Sequence, residues 1–340
     1  MSPAPGLDAA SLADRICALV SARQAGAPAV QVQAIKPLSG GNARRAWAFD
    51  VSWQDAKGSH SLECVLLGRL EAGQLEVDAR TEYEALRLVS HTDLPVPKPL
   101  WIDEDGSLLG MPGFVMTRGK GIVDPSSLLK PGSLITGELA TQLVRLAARI
   151  HALDWRSTGT TLAPAGGAQD AARQVLSQWQ EQFEANRLEP LPALASIFTW
   201  LQRNLPSERP VSLIHGDMRI GNFLYEGQNI TMLLDWELAH LGDPLEDLCW
   251  MYRRIWGPQA HLSLDDAVKI YEQESGQMVD RRHLLWYRIF SEAKFAVISL
   301  TGVRNFLEGG SDHLRLAGRA SSVNGCLQDA LRWIEELEST

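Results

Sequence analysis

Four polar residues in one stretch of the sequence could do chemistry together: His215, Asp217, Asn222 and Asp235. Apolar residues on both sides of a glycine-containing turn predict a β-hairpin over about 223–234. The second strand of that hairpin would bring Asp235 back beside Asn222. Carboxylate and amide oxygens are the ligands that Mg²⁺ prefers, and a further carboxylate can accept a proton from a hydroxyl group.

This combination suits the transfer of a phosphoryl group. The transition state of that reaction carries charge on the transferred group, and a protein accelerates it mainly by positioning and electrostatic stabilisation. Asp217 would orient an acceptor hydroxyl and take its proton, while Asn222 and Asp235 would hold Mg²⁺ together with triphosphate oxygens. The alternative is that Asp217 and Asp235 are ordinary loop and strand-end carboxylates, which the joint spacing disfavours.

Composition favours a small-molecule ligand. The chain has 340 residues, 45% of them hydrophobic, and a formal net charge of −9, values ordinary for a globular protein. An acidic balance repels phosphate backbones and anionic lipids, so nucleic acids and membrane surfaces are disfavoured as partners. Because single cores stop growing near about 250–300 residues, the length predicts two lobes or domains.

The cysteines and the first residues predict a cytoplasmic protein. Cys17, Cys64, Cys249 and Cys326 are far apart and lack metal-ligand spacing, which indicates buried thiols in a reducing compartment. The first 24 residues have no basic segment before an apolar run, and no window approaches 18 apolar residues. We therefore expect neither a signal peptide nor a membrane span.

The elements that would position the polar residues change in character near residue 121. The first third alternates in hydrophobicity as strands do, and the remainder has mostly helical periodicity. In the first third we predict a helix over 8–24, two strands within 31–53 separated by Ser39-Gly40-Gly41-Asn42, a strand near Leu62–Leu67, a helix over 79–89 and a strand over Gly113–Thr117. Later helices are predicted over about 139–150, 170–185, 192–204, 244–255, 263–275, 281–300 and 319–337.

The motif itself resembles a known family. His215-Gly216-Asp217 followed by Asn222 matches the catalytic loop of protein kinases with glycine in place of arginine. The stretches IHGDMRIGNFLY and LLDWELAHLGDPLEDL resemble the aminoglycoside phosphotransferase-like family, which shares the protein kinase fold and includes choline and homoserine kinases. With WQEQFEANRLEPLPALASIFTWLQRNLP, they are similar to the subgroup fused to acyl-CoA dehydrogenases in some animal proteins. The similarity extends from about residue 31 to beyond 300.

The resemblance implies an α+β, bilobal, protein-kinase-like fold. Residues 1–118 would form a small antiparallel-sheet lobe that binds the nucleotide, and residues 119–340 a mostly helical lobe with the catalytic loop and substrate pocket. ATP and Mg²⁺ would lie in the cleft between the lobes. His215 would organise the loop or be a core histidine, and Arg219 would contact phosphate or substrate or be an exposed loop arginine.

Further residues of the first lobe follow from the same resemblance. Ser39, Gly40, Gly41 and Asn42 would cover the phosphates, although an ordinary turn is the alternative. A basic residue at the end of the third strand, taken as Arg69, would contact phosphate and pair with Glu82; otherwise Glu82 is a solvated helix carboxylate near Arg80 or Arg87. Met116, Thr117 and Arg118 would form the hinge whose backbone binds adenine.

The segment after Asp235 narrows the substrate. Asp243, Pro244 and Glu246 predict a capping box that opens a helix about eight residues after Asp235. No room is left for a long activation segment, which disfavours a protein substrate.

We therefore expect an ATP-dependent phosphotransferase acting on a small-molecule hydroxyl, a hydroxy acid or hydroxyacyl-CoA by analogy, with a functional link to acyl-CoA dehydrogenases. An aminoglycoside- or choline-type kinase and a nucleotide-binding pseudokinase are the alternatives.

Overall fold

A computed structural model describes residues 9–24, 29–38, 44–69, 79–158, 160–162, 168–207, 210–309 and 314–339. The chain forms two compact units, and the fold is a bilobal α+β fold. The first unit contains the described residues up to Lys120 together with Thr231–Leu234, and the second contains the rest. Within the first unit, the Leu233 N–H donates to the carbonyl of Pro95 at 2.7 Å, so this short segment is bonded to it.

The described residues of the first unit form an antiparallel sheet of five strands: β1 Gln31–Leu38, β2 Arg44–Asp55, β3 Gly58–Arg69, β4 Pro99–Asp103 and β5 Gly113–Thr117. Their order in the sheet is β1-β2-β3-β5-β4. Four of them follow the alternation in the sequence, and β4 is an additional strand that the sequence analysis missed.

The described residues of this unit also form two helices, α1 Ala9–Arg23 and α2 Ala79–Val89. The apolar face of α1, including Leu12, Ile16 and Leu19, is fully buried in one cluster with sheet residues such as Phe49 and Leu66. Burial of such side chains contributes about 1.5–3 kcal/mol each. The predicted opening helix is therefore confirmed, and it serves the core of the unit.

The described part of the second unit is mostly helical. The helices are α3 Pro125–Leu128, α4 Thr136–His151, α5 Ala168–Asn186, α6 Pro192–Arg203, α7 Leu245–Met251, α8 Leu264–Ser275, α9 Arg281–Leu307, α10 Leu314–Gly318 and α11 Ala320–Glu338, with a 3₁₀ turn at Trp155–Thr158. The predicted helices are present. Helices α3 and α10, of four and five residues, were not predicted because they are too short to produce a helical period in the sequence.

Helix α7 begins and ends differently from its prediction. It begins at Leu245, and the predicted capping box is only half formed. Asp243 Oδ1 accepts the Leu245 N–H at 2.8 Å, but the side chain of Glu246 bonds residues of the site described below. It ends at Met251 instead of 255. Indole Nε1 of Trp256 donates to the carbonyl of Trp250 at 2.9 Å and satisfies one of the terminal carbonyls, so the chain leaves the helix there.

Two short strand pairs lie around the polar residues His215, Asp217, Asn222 and Asp235. β6 Ser212–Ile214 pairs with β9 His240–Gly242, and β7 Phe223–Glu226 pairs with β8 Asn229–Leu233. The predicted hairpin is therefore present. Gln142 of α4 holds its turn, donating to the carbonyl of Gln228 at 2.7 Å and accepting from the N–H of Ile230 at 3.0 Å.

Three of the four cysteines, Cys64, Cys249 and Cys326, are buried free thiols, and Cys17 is half-buried rather than buried as expected. Across the helices that the structure describes, none is long and apolar enough to cross a membrane.

Candidate active site

The polar stretch 215–222 is a loop between β6 and β7. Gly216 in this loop has φ of 81°, and a Cβ atom there would lie 2.2 Å from the carbonyl oxygen of Leu238. An L side chain would be strained by the backbone angle and would also clash. This explains why glycine stands where the kinase motif has arginine.

Asp247 of α7 fixes the start of this loop. Its carboxylate accepts the backbone N–H groups of His215 and Gly216, each at 2.8 Å, and it bonds Nε2 of His151 at 3.1 Å. The other nitrogen of His151 bonds the hydroxyl of Tyr271 at 3.0 Å. Burial alone would raise the pKa of Asp247, but the hydrogen bonds and the neighbouring histidines lower it on balance. A buried carboxylate thus holds two loop donors in place.

Lys294 of α9 also bonds this loop. Its ammonium group donates to the carbonyl of Gly216 at 2.7 Å and to Glu246 at 3.0 Å, with both side chains 1% exposed. Glu246 also bonds His240 Nε2 at 3.1 Å. Burial alone would raise the pKa of Glu246, and the charges of Lys294 and His240 reverse this and lower it. The loop is therefore held through both its N–H groups and its carbonyl.

The carboxylate of Asp217 accepts hydrogen bonds from three side chains. Trp250 Nε1 donates to Oδ1 at 2.6 Å, and Asn222 Nδ2 donates to Oδ2 at 2.6 Å. Nε of Arg219 lies 3.2 Å from Oδ1 and 3.3 Å from Oδ2. Asp217 is 9% exposed, so the carboxylate is oriented by the protein more than by water.

His215 is fully buried, and its Nδ1 accepts the backbone N–H of Asp217 at 3.2 Å. Its ring packs on Trp236, with ring centroids 4.6 Å apart. His215 is thus a buried core histidine that also bonds the backbone on which Asp217 lies, and its loop-organising role stays a prediction.

Asn222 and Asp235, the two residues predicted to hold Mg²⁺, lie at the two ends of the β7–β8 hairpin. The Asn222 amide nitrogen donates to the carboxylate and, at 2.9 Å, to the carbonyl of Asp217, which leaves its oxygen as the atom for a cation. Asp235 has φ of 69°, in the left-handed region that non-glycine residues rarely adopt. One carboxylate and one amide oxygen fit a hard cation that takes its other ligands from water and phosphate.

Arg219 lies beside the carboxylate rather than free in solvent. Its side chain is 27% exposed, and its guanidinium lies 5.3 Å from the ring centroid of Trp256. The charges of Arg219 and Asp217 also act on Arg319: burial lowers the pKa of Arg319, Arg315 and Arg219 lower it further, and Asp217 raises it. Positive charge therefore gathers around Asp217 in a chain of net negative charge.

The nucleotide-binding residues predicted in the first unit are only partly described. Ser39, Gly40, Gly41 and Asn42 lie outside the described residues. Arg69 is the last residue of β3, opposite Arg44 in the ladder, but its side chain lies outside the description.

Glu82 is 2% exposed in α2, so the alternative of a solvated helix carboxylate is wrong. Its predicted pairing with Arg69 stays a prediction.

The predicted hinge residues belong to β5 and to the turn after it. Met116 is buried in β5. The N–H of Arg118 donates to the carbonyl of Glu63 at 2.9 Å, and its guanidinium bonds Glu63 at 2.8 Å and Asp50 at 3.2 Å. An adenine contact by the backbone of Arg118 would thus have to use its carbonyl group, because its backbone N–H is already bonded.

Sequence reasoning missed several residues that shape this site: Trp250, Asp247, Lys294 and His151. One signal was visible, since Lys294 is the single cation in the run IFSEAKFAVISL of α9, which is mostly apolar. An ion in such a run has to find a buried partner. For Trp250 the sequence carries no comparable signal.

A family model described as "Phosphotransferase enzyme family" matches residues 34–285, which include the whole loop and both hairpin ends. The chain belongs to this phosphotransferase family. It is 30% identical over 174 residues to acyl-CoA dehydrogenase family member 10 of Mus musculus and 34% identical over 181 residues to family member 11 of Gallus gallus. These alignments cover 50% and 52% of this chain but only 16% and 23% of the relatives.

Solved structures show the same fold as this member of the family. A candidate aminoglycoside phosphotransferase from Ralstonia eutropha has a TM-score of 0.73 at 19% identity, covering 95% of this chain and 98% of that chain. Aminoglycoside phosphotransferase APH(4)-Ia, in ternary complex with AMP-PNP and hygromycin B, has a TM-score of 0.55 at 17% identity, with 88% and 94% covered. A choline/ethanolamine kinase family protein from Mesorhizobium loti has 0.56 at 14% identity, with 89% and 88% covered.

Proposed function

We propose that this protein transfers the γ-phosphoryl group of ATP to a hydroxyl group of a small molecule. The observation that carries the proposal is the Asp217 carboxylate, which three side-chain donors orient on a loop that hydrogen bonds to Asp247 and Lys294 hold in place. In a phosphotransferase family, a carboxylate held this way is suited to receive an acceptor hydroxyl.

The reaction assigns a task to each side chain of the loop. Asp217 accepts the proton of the acceptor hydroxyl. The oxygen of that hydroxyl forms a bond to the γ-phosphorus, and the bond between the γ-phosphorus and the bridging oxygen of ADP breaks. The guanidinium of Arg219, beside the same carboxylate, is placed to stabilise negative charge near the reacting groups. His215 keeps the loop backbone in the conformation that presents Asp217.

Mg²⁺ and ATP are the proposed cofactors. The Asn222 amide oxygen and the Asp235 carboxylate would hold the cation, which when bound neutralises charge on the phosphate oxygens. In the first unit, buried Glu82, Arg69, the segment 39–42 and the hinge at Met116 and Arg118 remain the proposed nucleotide contacts. The AMP-PNP bound to APH(4)-Ia supports a nucleotide in this fold.

Replacing Asp235 by alanine is expected to abolish metal-dependent nucleotide binding, because the Asp235 carboxylate is the charged ligand of the two that we propose for Mg²⁺. Isothermal titration calorimetry with ATP, with and without Mg²⁺, measures this. The exposed Asp265, which pairs with Arg281, provides the control Asp265→Ala. Affinity for Mg·ATP at the wild-type value in Asp235→Ala would contradict the metal assignment.

We infer that the acceptor carries negative charge. Arg219 bonds the Asp217 carboxylate, and the charges of Arg219, exposed Arg315 and Asp217 all act on Arg319. Such a cluster would repel a polycationic aminoglycoside and attract a carboxylate or phosphate. Similarity to acyl-CoA dehydrogenase family members supports a hydroxy acid or its CoA thioester and a functional link to acyl-CoA oxidation.

Replacing Arg319 by methionine is expected to raise KM for an anionic acceptor about 10-fold, since one charged contact contributes about 1.4 kcal/mol or more. KM for ATP should stay unchanged. The matched control is Arg332→Met on α11, where the guanidinium pairs with Asp329. Equal KM values for Arg319→Met and wild type would argue against an anionic acceptor.

An acceptor screen tests the proposed function and its rivals. ADP release is measured with Mg·ATP and hydroxy acids, their CoA thioesters, choline, homoserine and aminoglycosides. We expect release with the anionic acceptors. Release with aminoglycosides or choline alone would favour those kinases, and nucleotide binding without release on any acceptor would favour a pseudokinase.

A further inference from the structure

Trp250 is the penultimate residue of α7, 1% exposed, and its indole points its N–H at the Asp217 carboxylate. The bond to Oδ1 is 2.6 Å long, equal to the bond from Asn222 to Oδ2. Each carboxylate oxygen therefore has its own short donor from a different element. Rotation of the carboxylate would break at least one of these bonds.

The indole is itself held in place. The Lys294 ammonium lies 4.5 Å from its ring centroid, and the rings of Trp256 and Phe295 lie at 5.3 and 6.3 Å. Trp256 also donates to the backbone carbonyl of Trp250. A donor surrounded in this way has little freedom, so it can impose an orientation on the carboxylate.

We propose that Trp250 is a positioning residue for phosphoryl transfer, whose indole N–H fixes the Asp217 carboxylate for the acceptor hydroxyl. This role rests on the proposed function. An ionised carboxylate offers about four lone-pair sites. Trp250 and Asn222 each occupy one, on different oxygens, and Nε of Arg219 is shared between the two oxygens. The acceptor hydroxyl bonds at a remaining site, whose direction the short bonds from Trp250 and Asn222 set.

A tryptophan that matters only for packing would act through its ring and not through its N–H. Two variants separate these roles. Trp250→Phe removes the N–H and part of the ring, whereas 3-benzothienylalanine, introduced at position 250 by codon suppression, keeps the bicyclic shape and replaces N–H with sulfur. The matched control is Trp286→Phe, since Trp286 is 2% exposed and donates its indole N–H to the carbonyl of Leu201, away from the loop.

Steady-state kinetics with ATP and an acceptor from the screen is the test. We expect both changes at position 250 to lower kcat about 10- to 100-fold while each KM changes less than about threefold, because a displaced base slows the chemical step without weakening binding. Affinity for Mg·ATP should be unchanged, and Trp286→Phe should keep the wild-type kcat.

Three results would overturn the role. Wild-type kcat in the benzothienyl protein would show that the N–H is not used. A kcat loss of the same size in Trp286→Phe would show that any buried indole has this effect. Absence of turnover in the wild-type protein on every acceptor would overturn the proposed function itself. This failure differs from a failure of the Trp250 role alone, because the first two results can be obtained only with an active wild-type protein. If Trp250→Phe does not fold, the kcat of the benzothienyl protein alone tells whether the indole N–H is used.

Discussion

Replacing Asp217 by asparagine is expected to lower kcat about 10²- to 10⁴-fold, the range for loss of a general base. Asparagine has nearly the same size but cannot take the acceptor proton. Its amide would also place an N–H₂ group against at least one of the donors from Trp250, Asn222 and Arg219. Nucleotide binding should persist, since Asp217 is not among the proposed metal ligands.

The exposed pair of Asp265 and Arg281 provides the control for this substitution. Asp265→Asn should leave kcat and the free energy of unfolding near the wild-type values, because exposed ion pairs contribute little. Wild-type kcat in Asp217→Asn, measured with the same acceptor, would refute the role of Asp217 as the base.

Replacing Asp247 by asparagine is expected to lower the free energy of unfolding by about 3–5 kcal/mol, as removal of one partner from a buried charged network does. The carboxylate accepts two loop N–H groups and bonds His151, and an amide can serve only part of this set. Urea denaturation measures the loss. The kcat should fall as well, because the backbone that presents Asp217 loses its support.

The effect should also depend on pH. The folded-state pKa of Asp247 is lowered, so its contribution is present above the unfolded value and is lost as pH falls through the folded value. The stability difference between wild type and Asp247→Asn should therefore narrow below about pH 4. The control is Glu308→Gln, which removes an exposed ion pair with Arg304. If Glu308→Gln lowered the free energy of unfolding as much as Asp247→Asn does, the role of Asp247 in holding the loop would be contradicted.

Much of the fold could be predicted because its signals are local. The alternation through β2 and β3 and the apolar face of α4 are set by neighbours a few residues apart. The strand β4 was missed because Pro95, Pro97 and Pro99 precede or begin it. Proline has no backbone N–H to donate to a neighbouring strand, so it disfavours a strand in the sequence. However, β4 is an edge strand, where the missing hydrogen bond is tolerated.

The candidate site divides in the same way. Asp217, Asn222 and the hairpin leading to Asp235 lie within about twenty residues, so spacing alone could relate them. Trp250 and Lys294 reach the loop from 33 and 78 residues away, and helix packing decides which side chain arrives there. The Glu246 side chain shows the limit of a local rule: it fits a capping box by position but bonds Lys294 in the core.

Transfer of label from ATP carrying ³²P in the γ-phosphate tests the central claim most directly. Purified protein is incubated with this ATP, Mg²⁺ and a hydroxy acid or hydroxyacyl-CoA, and the label in acceptor, inorganic phosphate and ATP is counted. The account predicts label in the acceptor in equal amount to the ADP formed, with almost none for Asp217→Asn. Label that appears only in inorganic phosphate, or that stays in ATP with every acceptor, would contradict it.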